Sequence, residues 1–405
     1  RAMRTSDRWR KMAANGISEA KIKASFNIKT DMRVFAWKNG VSEIDTILTP
    51  KDSIRYYKRF LRAGLMSLTP QTGEVKAWVG GINYKHFQYD HVKTGKRQVG
   101  STFKPFLYAT AIDQLHLSPC DTIPNIPYCI PAGEMGAQRD WCPDNSGGQY
   151  GGMVTLKSAL AQSINTVSAR LMHRVGPQTE IDLIEKLGID TENIPAVPSI
   201  ALGTADISLF EMVSAYSAFA NKGVHVEPQI VSTIVDKNGT VLYQSIPEAK
   251  DVLSKESAYV TVNLMEGVTQ YGSGARLRSG PINSDVYKKV ITGHPYRFKN
   301  PIAGKTGTTQ NQSDGWFMGM VPNLVSGVWV GGDDRSVHFS SITYGQGATM
   351  ALPIWGSFMK KCYEDEDLKI SQGAFERPEN LSIRIDCSES EASSHQSDIL
   401  DELDF

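Results

Sequence analysis

The stretch AGKTGTTQ, residues 303–310, admits two readings that lead to different folds. Its Gly-Lys-Thr resembles the end of a phosphate-binding loop. Its Lys-Thr-Gly resembles one of the two short boxes that accompany a Ser-x-x-Lys nucleophile. The first reading fails on spacing, because the phosphate loop needs a Gly five positions before Gly304, where Lys299 stands. It also fails on context. Such a loop opens a helix, so that free N–H groups face phosphate, but Gly307, two Thr, Asn311 and Gly315 follow here, then a strand-like run. A second Lys-Thr-Gly, residues 93–95, sits in HVKTGKRQ, a basic polar stretch with no strand signal, and reads as a solvated loop.

A nucleophile for the box must be found elsewhere. No G-x-S-x-G elbow occurs, and the eight His are scattered. Two Ser-x-x-Lys matches exist, at Ser101–Lys104 and Ser357–Lys360, so the motif alone decides nothing. Context does. Gly100 breaks the chain before Ser101 and an apolar-periodic helix follows, which predicts Ser101 at a helix N-terminus with Lys104 one turn on. Pro105 is tolerated so near a helix start. Lys360 reads as a solvated charge near a helix end. Ser-x-Asn also occurs twice. Ser25-Phe26-Asn27 lies in the N-terminal segment, whereas Ser163-Ile164-Asn165 falls between two helical stretches, where small polar residues suit a tight corner. The order is then Ser101, Ser163, Lys305. In that setting Gly307 would let a ligand lie against the strand.

The rest of the chain bounds these readings. With 405 residues, 40% hydrophobic and 21% charged, the composition is that of a soluble globular protein, and a formal net charge of zero suggests no nucleic-acid partner. No apolar run approaches the ~18 residues that cross a bilayer. The first residue is Arg, and an excised fragment is expected. The five Cys (120, 129, 142, 362 and 387) lack C-x-x-C spacing. Three sit in a Pro- and Gly-rich loop and are either idle thiols or a loop disulfide of an oxidising compartment, with connectivity open.

Thr49, Pro50 and Gly64 punctuate a helix, and LMSLTPQTGEVKAWVGG reads as a hairpin. Residues 101–285 are mostly helical, interrupted by a strand pair turning at Asn238-Gly239. After Pro301 come three antiparallel strands and a closing helix, MALPIWGSFMKKCYED. The hairpin and these strands are expected to share one sheet, with the helical block inserted between its halves. From 366 the chain turns polar, and its last twenty residues carry no Lys or Arg, which predicts a disordered acidic tail over 366–405.

With those residues placed, the chain resembles the transpeptidase domain of class A, bifunctional penicillin-binding proteins. RQVGSTFKPFLYATAID, ALAQSINTVSARLM, ALGTADISLFEMVSAYSAFANKG, AGKTGTTQNQSDGWFMGMVPNLVSGVWVGGDD and MALPIWGSFM follow one another in family order, over roughly 49–362. The resemblance implies an α+β (α/β) fold of the serine β-lactamase kind, a five-stranded antiparallel sheet flanked by helices plus a mostly helical subdomain. It implies a linker over 1–48 after an absent glycosyltransferase domain and membrane anchor, and a transpeptidase domain over 49–365. It also implies a reaction, cross-linking of peptidoglycan stem peptides ending in D-Ala-D-Ala, blocked by β-lactams, on the extracytoplasmic, periplasmic face of the inner membrane, with no cofactor and no metal.

Ser101 would be the acylated nucleophile and Lys104 its base, with the Lys104 pKa pushed down by burial and by Lys305. Ser163 would relay the proton and Asn165 would bind the substrate amide. Lys305, Thr306, Gly307 and Thr308 would bind the terminal carboxylate side, and the backbone N–H groups of Ser101 and Thr308 would hold the oxyanion. The middle box is Ser-Ile-Asn rather than Ser-Asp-Asn, and no E-x-x-L-N string occurs, which disfavours a β-lactamase. A D,D-carboxypeptidase or a β-lactam-sensing module stays the alternative.

Overall fold

The computed structural model describes residues 2–38, 41–279, 291 and 293–387. Helices α1 (Asp7–Ala14) and α2 (Glu19–Ser25) precede an antiparallel hairpin, β1 (Thr30–Lys38) with β2 (Val41–Leu48). Helix α3 (Pro50–Lys58) starts as its punctuation predicts, with the Thr49 hydroxyl accepting from the Asp52 N–H. It does not run to Gly64. Strand β3 (Arg62–Leu68) begins instead, and six of its seven residues are buried. Burial inside a sheet outweighs the local helical spacing. Strand β4 (Val75–Val79) completes the expected hairpin.

The helical block follows. Strand β5 (Lys96–Gln98) leads into the central helix α4 (Lys104–Leu115), whose first nine residues are all buried. Then come β6 (Thr122–Pro124), β7 (Met153–Thr155), α5 (Leu156–Ala161), α6 (Asn165–Val175), α7 (Pro177–Lys186), β8 (Asp206–Ser208) and α8 (Leu209–Ala220). After β9 (Val224–Val226), β10 (Thr233–Val235) and β11 (Val241–Gln244) form the second hairpin, whose turn is stapled by the Asp236 carboxylate accepting from Asn238 and Thr240 N–H. Strand β12 (Ala249–Asp251) pairs with β9, and α9 (Lys255–Gln270) closes the block.

Strands β13 (Ala303–Thr308), β14 (Asp314–Val321) and β15 (Leu324–Gly331) then join the first hairpin in one antiparallel sheet, in the order β13-β14-β15-β3-β4. The halves meet at β15 and β3, so the helical block is an insertion, as expected. Short helices α10 (Ile342–Gly345) and α11 (Gly347–Met350) lead to α12 (Leu352–Glu364).

Every residue of β14 and β15 is buried, because both faces of the sheet are covered. On one face Trp316, Met318 and Trp329 pack with Phe103, Phe106 and Tyr216 of the helical block. On the other, Phe317, Val321 and Val328 pack with Trp355 and Met359 of α12. Period-two alternation therefore sorts one apolar run into two cores.

The expected disordered tail is corrected over residues 366–387. Phe375, Ile383 and Ile385 are buried in the first core. The Glu256 carboxylate accepts from the backbone N–H groups of Ser382 and Ile383, and Cys387 is disulfide-bonded to Cys120. Three apolar side chains and a covalent tie hold a segment whose average polarity suggested none. Residues 388–405 lie outside the described residues. Of the other cysteines, Cys129 and Cys142 form a second, loop-closing disulfide and Cys362 is a buried free thiol.

One buried ion pair ties the block to the sheet. Arg97 of β5 donates to the fully buried Asp314 carboxylate at 2.7 Å, and Trp329 donates to the same oxygen at 3.0 Å. Arg97→Ala leaves that carboxylate without its cation, so a loss of about 3–5 kcal/mol is expected in urea denaturation. Arg33→Ala, which breaks an exposed pair with Asp45, is expected to leave the midpoint unchanged.

Candidate active site

Ser101 lies in a 3-10 turn, Gly100–Phe103, that runs directly into α4. The helix proper therefore starts at Lys104, one turn later than expected. In a 3-10 turn side chains at i and i+3 eclipse, which puts Ser101 and Lys104 on one face. The turn is pinned on every side. Gly100 N–H donates to Gly203 O at 2.9 Å, Thr102 Oγ1 to Val99 O at 2.7 Å, and Tyr216 OH to Thr102 O. Gly100 has φ +55°, and a Cβ there would fall 2.8 Å from Thr308 O. A Cβ on Gly203 would fall 2.0 Å from Gly100 O. No larger residue fits either position. The Ser101 hydroxyl is half-buried, lines the main cleft and carries no hydrogen bond from the described residues.

Beneath it Lys104 is fully buried. Its Nζ donates to Ser163 O at 2.7 Å, to Asn165 Oδ1 at 2.7 Å and to Ser163 Oγ at 3.3 Å. Lys305 Nζ, also fully buried, donates to the same Ser163 Oγ at 2.9 Å and to Thr306 O at 3.1 Å. No carboxylate pairs with either amine among the described residues. Burial, and then the neighbouring Lys305, pushes the Lys104 pKa well below the ordinary lysine value. Burial alone pushes Lys305 down to about 7. Ser163 bridges the two from the corner between α5 and α6, at φ +60°, a strained conformation for a side chain with a Cβ.

Strand β13 is the sheet edge nearest this group. Thr309 N–H donates to Asp314 O at 3.1 Å. Alternation along an antiparallel strand then turns the Thr308 N–H away from β14, toward the open edge beside Gly100. Thr306 Oγ1 and Ser273 Oγ are 2.5 Å apart, and Thr308 Oγ1 accepts from Gly347 N–H at 3.1 Å. Gly307 is corrected in role. It is buried, and a Cβ there would lie 2.8 Å from both Thr102 Cγ2 and Val99 O. The turn bearing Ser101 and the residue before it are what such a Cβ would meet first.

The decoys stay apart from this group. Ser357 sits on α12, with Lys360 exposed, and neither lines the cleft. Lys93 is exposed over the Phe210 ring, and the Ser25 hydroxyl donates back to Ile22 O.

Sequence reasoning missed Asn145. Helix α6 has Ile164 at its N-cap, which offers no side-chain acceptor. Asn145 supplies one from the 120–150 loop, its Oδ1 accepting from Asn165 N–H at 2.9 Å and from Thr166 N–H at 3.1 Å. Its Nδ2 donates to Asn125 Oδ1 at 2.7 Å and Gln149 O at 2.9 Å. The adjacent Asp144 O accepts from Asn165 Nδ2 at 2.6 Å. The loop thus caps the helix and orients the Asn165 amide whose other end holds Lys104. Pro143-Asp144-Asn145 reads locally as a turn, so no sequence signal pointed there.

The cleft above these residues encloses about 590 Å³. Its walls include Ser101, Asn165 and Thr308 together with residues 136–139 and 141. Among the described residues no cluster of His, Cys, Asp and Glu could hold a metal ion.

A central helix bearing a Ser-x-x-Lys turn, packed against the edge of a five-stranded antiparallel sheet, defines the class to which the comparisons also point. The model of the penicillin-binding protein transpeptidase domain matches residues 63–333, and that of the penicillin-binding protein middle domain matches residues 1–61. The chain belongs to the penicillin-binding protein transpeptidase family. Penicillin-binding protein 1A of Aquifex aeolicus is 35% identical over 330 residues, covering 80% of this chain and 41% of that protein. Penicillin-binding protein 1A of Neisseria lactamica is 33% identical over 306 residues, 74% of this chain and 36% of that one. The chain therefore spans about two fifths of the length of such relatives. Among solved structures, penicillin-binding protein 1A of Haemophilus influenzae superposes with TM-score 0.67 at 25% identity, over 79% of this chain and 49% of that chain. PonA1 of Mycobacterium tuberculosis, solved in complex with penicillin V, shares the fold with TM-score 0.64 at 21% identity, over 96% and 98% of the two chains.

Asn145→Ala removes the cap and its tie to Asn165, so about 1 kcal/mol of stability is expected to be lost, together with roughly tenfold in the rate of acylation by benzylpenicillin, one lost positioning bond being worth about 1–1.5 kcal/mol. Asn145→Asp keeps the capping acceptor but turns an oxygen instead of the donating amide toward Asn125 Oδ1 and Gln149 O, so it is expected to lose stability as well, as followed by urea denaturation.

Proposed function

We propose that this chain is the acylating centre of a peptidoglycan D,D-transpeptidase. The observation that carries the reading is the buried Lys104 amine, with no carboxylate partner and its pKa driven down, on the same face as an unencumbered serine hydroxyl. An unaided serine is a poor nucleophile, and base assistance is typically worth ~10²–10⁴ in rate. Lys104 in its neutral form takes the Ser101 proton as Oγ attacks the penultimate D-Ala carbonyl. The oxyanion forms between the N–H groups of Ser101 and Thr308, each such donor being worth roughly 10²–10³. The C–N bond then breaks. Ser163, which touches both lysines, passes a proton to the departing D-Ala amine. Attack by an amine of a second stem on the acyl-enzyme forms the cross-link and frees Ser101. Lys305, Thr306 and Thr308 hold the donor's terminal carboxylate, whose negative charge raises the Lys305 pKa and keeps that amine protonated. Asn165 bonds the donor amide with the amide proton not given to Asp144.

The same reading takes β-lactams as acylating inhibitors of Ser101. It gives the intact protein a glycosyltransferase domain ahead of the 1–48 linker and a membrane anchor, with the site on the periplasmic side. No helix among the described residues is long and apolar enough to cross a membrane. Two disulfides fit an oxidising compartment.

Ser101→Ala is expected to abolish covalent labelling by fluorescent penicillin, whereas Ser357→Ala leaves it intact. Intact mass after penicillin, with peptide mapping of the adduct, reads this directly, and an adduct on any residue but Ser101 sinks the assignment.

The pH dependence of the second-order acylation constant follows from the two amines. Deprotonation of Lys104 sets the acid limb. Loss of the Lys305 proton, near 7 in the free enzyme, sets the alkaline limb, so a bell is expected whose two apparent values belong to the pair. Lys305→Arg, which cannot lose its proton in this range, is expected to remove the alkaline limb whatever it does to the maximum. A profile unchanged by that substitution contradicts the role given to Lys305.

A further inference from the structure

Part of the wall of the cleft that Ser101 lines comes from a loop closed by the Cys129–Cys142 disulfide. It is stiff for reasons beyond that bond. Ile130 and Trp141 exchange backbone hydrogen bonds at 3.0 and 2.8 Å, Gly133 N–H donates to Ala137 O at 2.8 Å, and the Asp140 carboxylate accepts from Ala132 N–H at 2.9 Å. Helix α6 braces it from behind, where His173 faces Glu134 at 3.0 Å. Side chains on such a platform are presented rather than tethered.

Arg139 stands on this platform and lines the cleft. Among the described residues that line it, Arg139 alone carries a formal charge, since the others are Gly, Ala, Val, Leu, Pro, Ser, Thr, Asn, Gln and Trp. Its guanidinium is exposed and makes no hydrogen bond or ion pair with any described residue. The nearby acids are engaged elsewhere: Asp140 with Ala132, Glu134 with His173, and Asp144 with Tyr150 at 2.9 Å. An exposed, unpaired guanidinium, carried on a braced loop beside a cleft whose other described lining residues are uncharged, is suited to receive a carboxylate, because the planar fork matches two carboxylate oxygens at once.

We propose that Arg139 is a specificity-determining residue that selects donors bearing a free carboxylate upstream of the D-Ala-D-Ala end, over donors that are neutral there. The proposal rests on the transpeptidase reading above, since Ser101 and Thr308, which line the same cleft as Arg139, fix where the scissile end lies. A stem with an acidic side chain is then gripped at two points, its terminal carboxylate by the β13 strand and its side-chain carboxylate by Arg139. Amidation of the second group removes that grip and leaves the first.

Two penicillins that differ by one carboxylate test this. Carbenicillin carries an α-carboxylate on the acyl side chain that benzylpenicillin lacks, and that side chain occupies the place of the residue upstream of D-Ala-D-Ala. Second-order acylation constants are measured by intact mass for the wild-type chain, Arg139→Ala and Arg139→Lys. Arg139→Ala is expected to slow carbenicillin roughly three- to tenfold, the range of a partly exposed charge-assisted pair, and to leave benzylpenicillin within about twofold. Arg139→Lys restores charge without the fork and is expected to recover part of the loss. Raising salt from about 0.05 to about 0.5 M is expected to shrink the carbenicillin effect. Peptide donors X-D-Ala-D-Ala with X as Glu or Gln should show the same split. Equal slowing of both penicillins by Arg139→Ala, or no slowing of carbenicillin, overturns the proposal. Failure of the underlying reading looks different: adducts persist in Ser101→Ala, whatever Arg139 does.

Discussion

Two lysine amines are buried without a carboxylate between them, and the rest of the site is arranged around that constraint. An ammonium in a low-dielectric interior must find a counter-charge or lose its proton. Lys104 and Lys305 find only neutral oxygens: Ser163 Oγ shared by both, the Asn165 amide, and backbone carbonyls. Holding Lys305 at about 7 instead of 10.5 costs the folded state on the order of 5 kcal/mol below neutrality. The sign matters. The unfolded chain binds this proton more tightly, so the cost is full below pH 7 and falls away as pH rises toward 10.5. Stability given up there leaves an amine that titrates near neutral pH, as perturbed groups at functional sites often do.

Such a site needs a rigid frame, and the frame is built by close approach. The turn bearing Ser101 touches the edge strand at Gly100 and Gly307 and the following loop at Gly203, with no room for a methyl group at any of them. Arg97 and Asp314 lock the adjoining strands β5 and β14 a few residues away, where the Arg97 guanidinium also lies over the Trp329 ring. From the third side, the 120–150 loop caps α6 through Asn145 and holds Asn165 through Asp144. Two disulfides anchor this region, one closing the cleft wall and one tying its base to the C-terminal segment. The 120–150 loop is therefore a structural partner of the Ser-x-Asn corner and part of the wall of the cleft.

Much of this was legible in local sequence because the signals were local. The Gly before Ser101, the apolar helix after it, the strand texture around Lys305 and the small polar corner at Ser163 each separate the copy of a box that the fold brings to this group from the copy that it leaves elsewhere. The errors were also of one kind. The helix predicted to reach Gly64 stops at Lys58 because sheet burial claims Arg62–Leu68. Residues 366–387 pack although their composition is polar, since Phe375, Ile383 and Ile385 and one disulfide suffice. Gly307 is small for the sake of the turn behind it. Each case depends on what lies across space, which a window of ten residues does not contain.

The amino-acid sequence by itself determined the chemical inventory: which serine follows a chain break, which lysine lies one turn beyond it, and which strand carries the second cation. Those follow from backbone preferences and periodicity, which act within a few residues. Only the tertiary structure decided that the two amines share one hydroxyl with no carboxylate paired to them among the described residues, that Asn145 caps the helix of the middle box, and that Arg139 is the one charged side chain among the described residues lining the cleft. Burial, desolvation and the absence of a counter-ion are properties of a packed volume, and a packed volume exists only once distant segments have met.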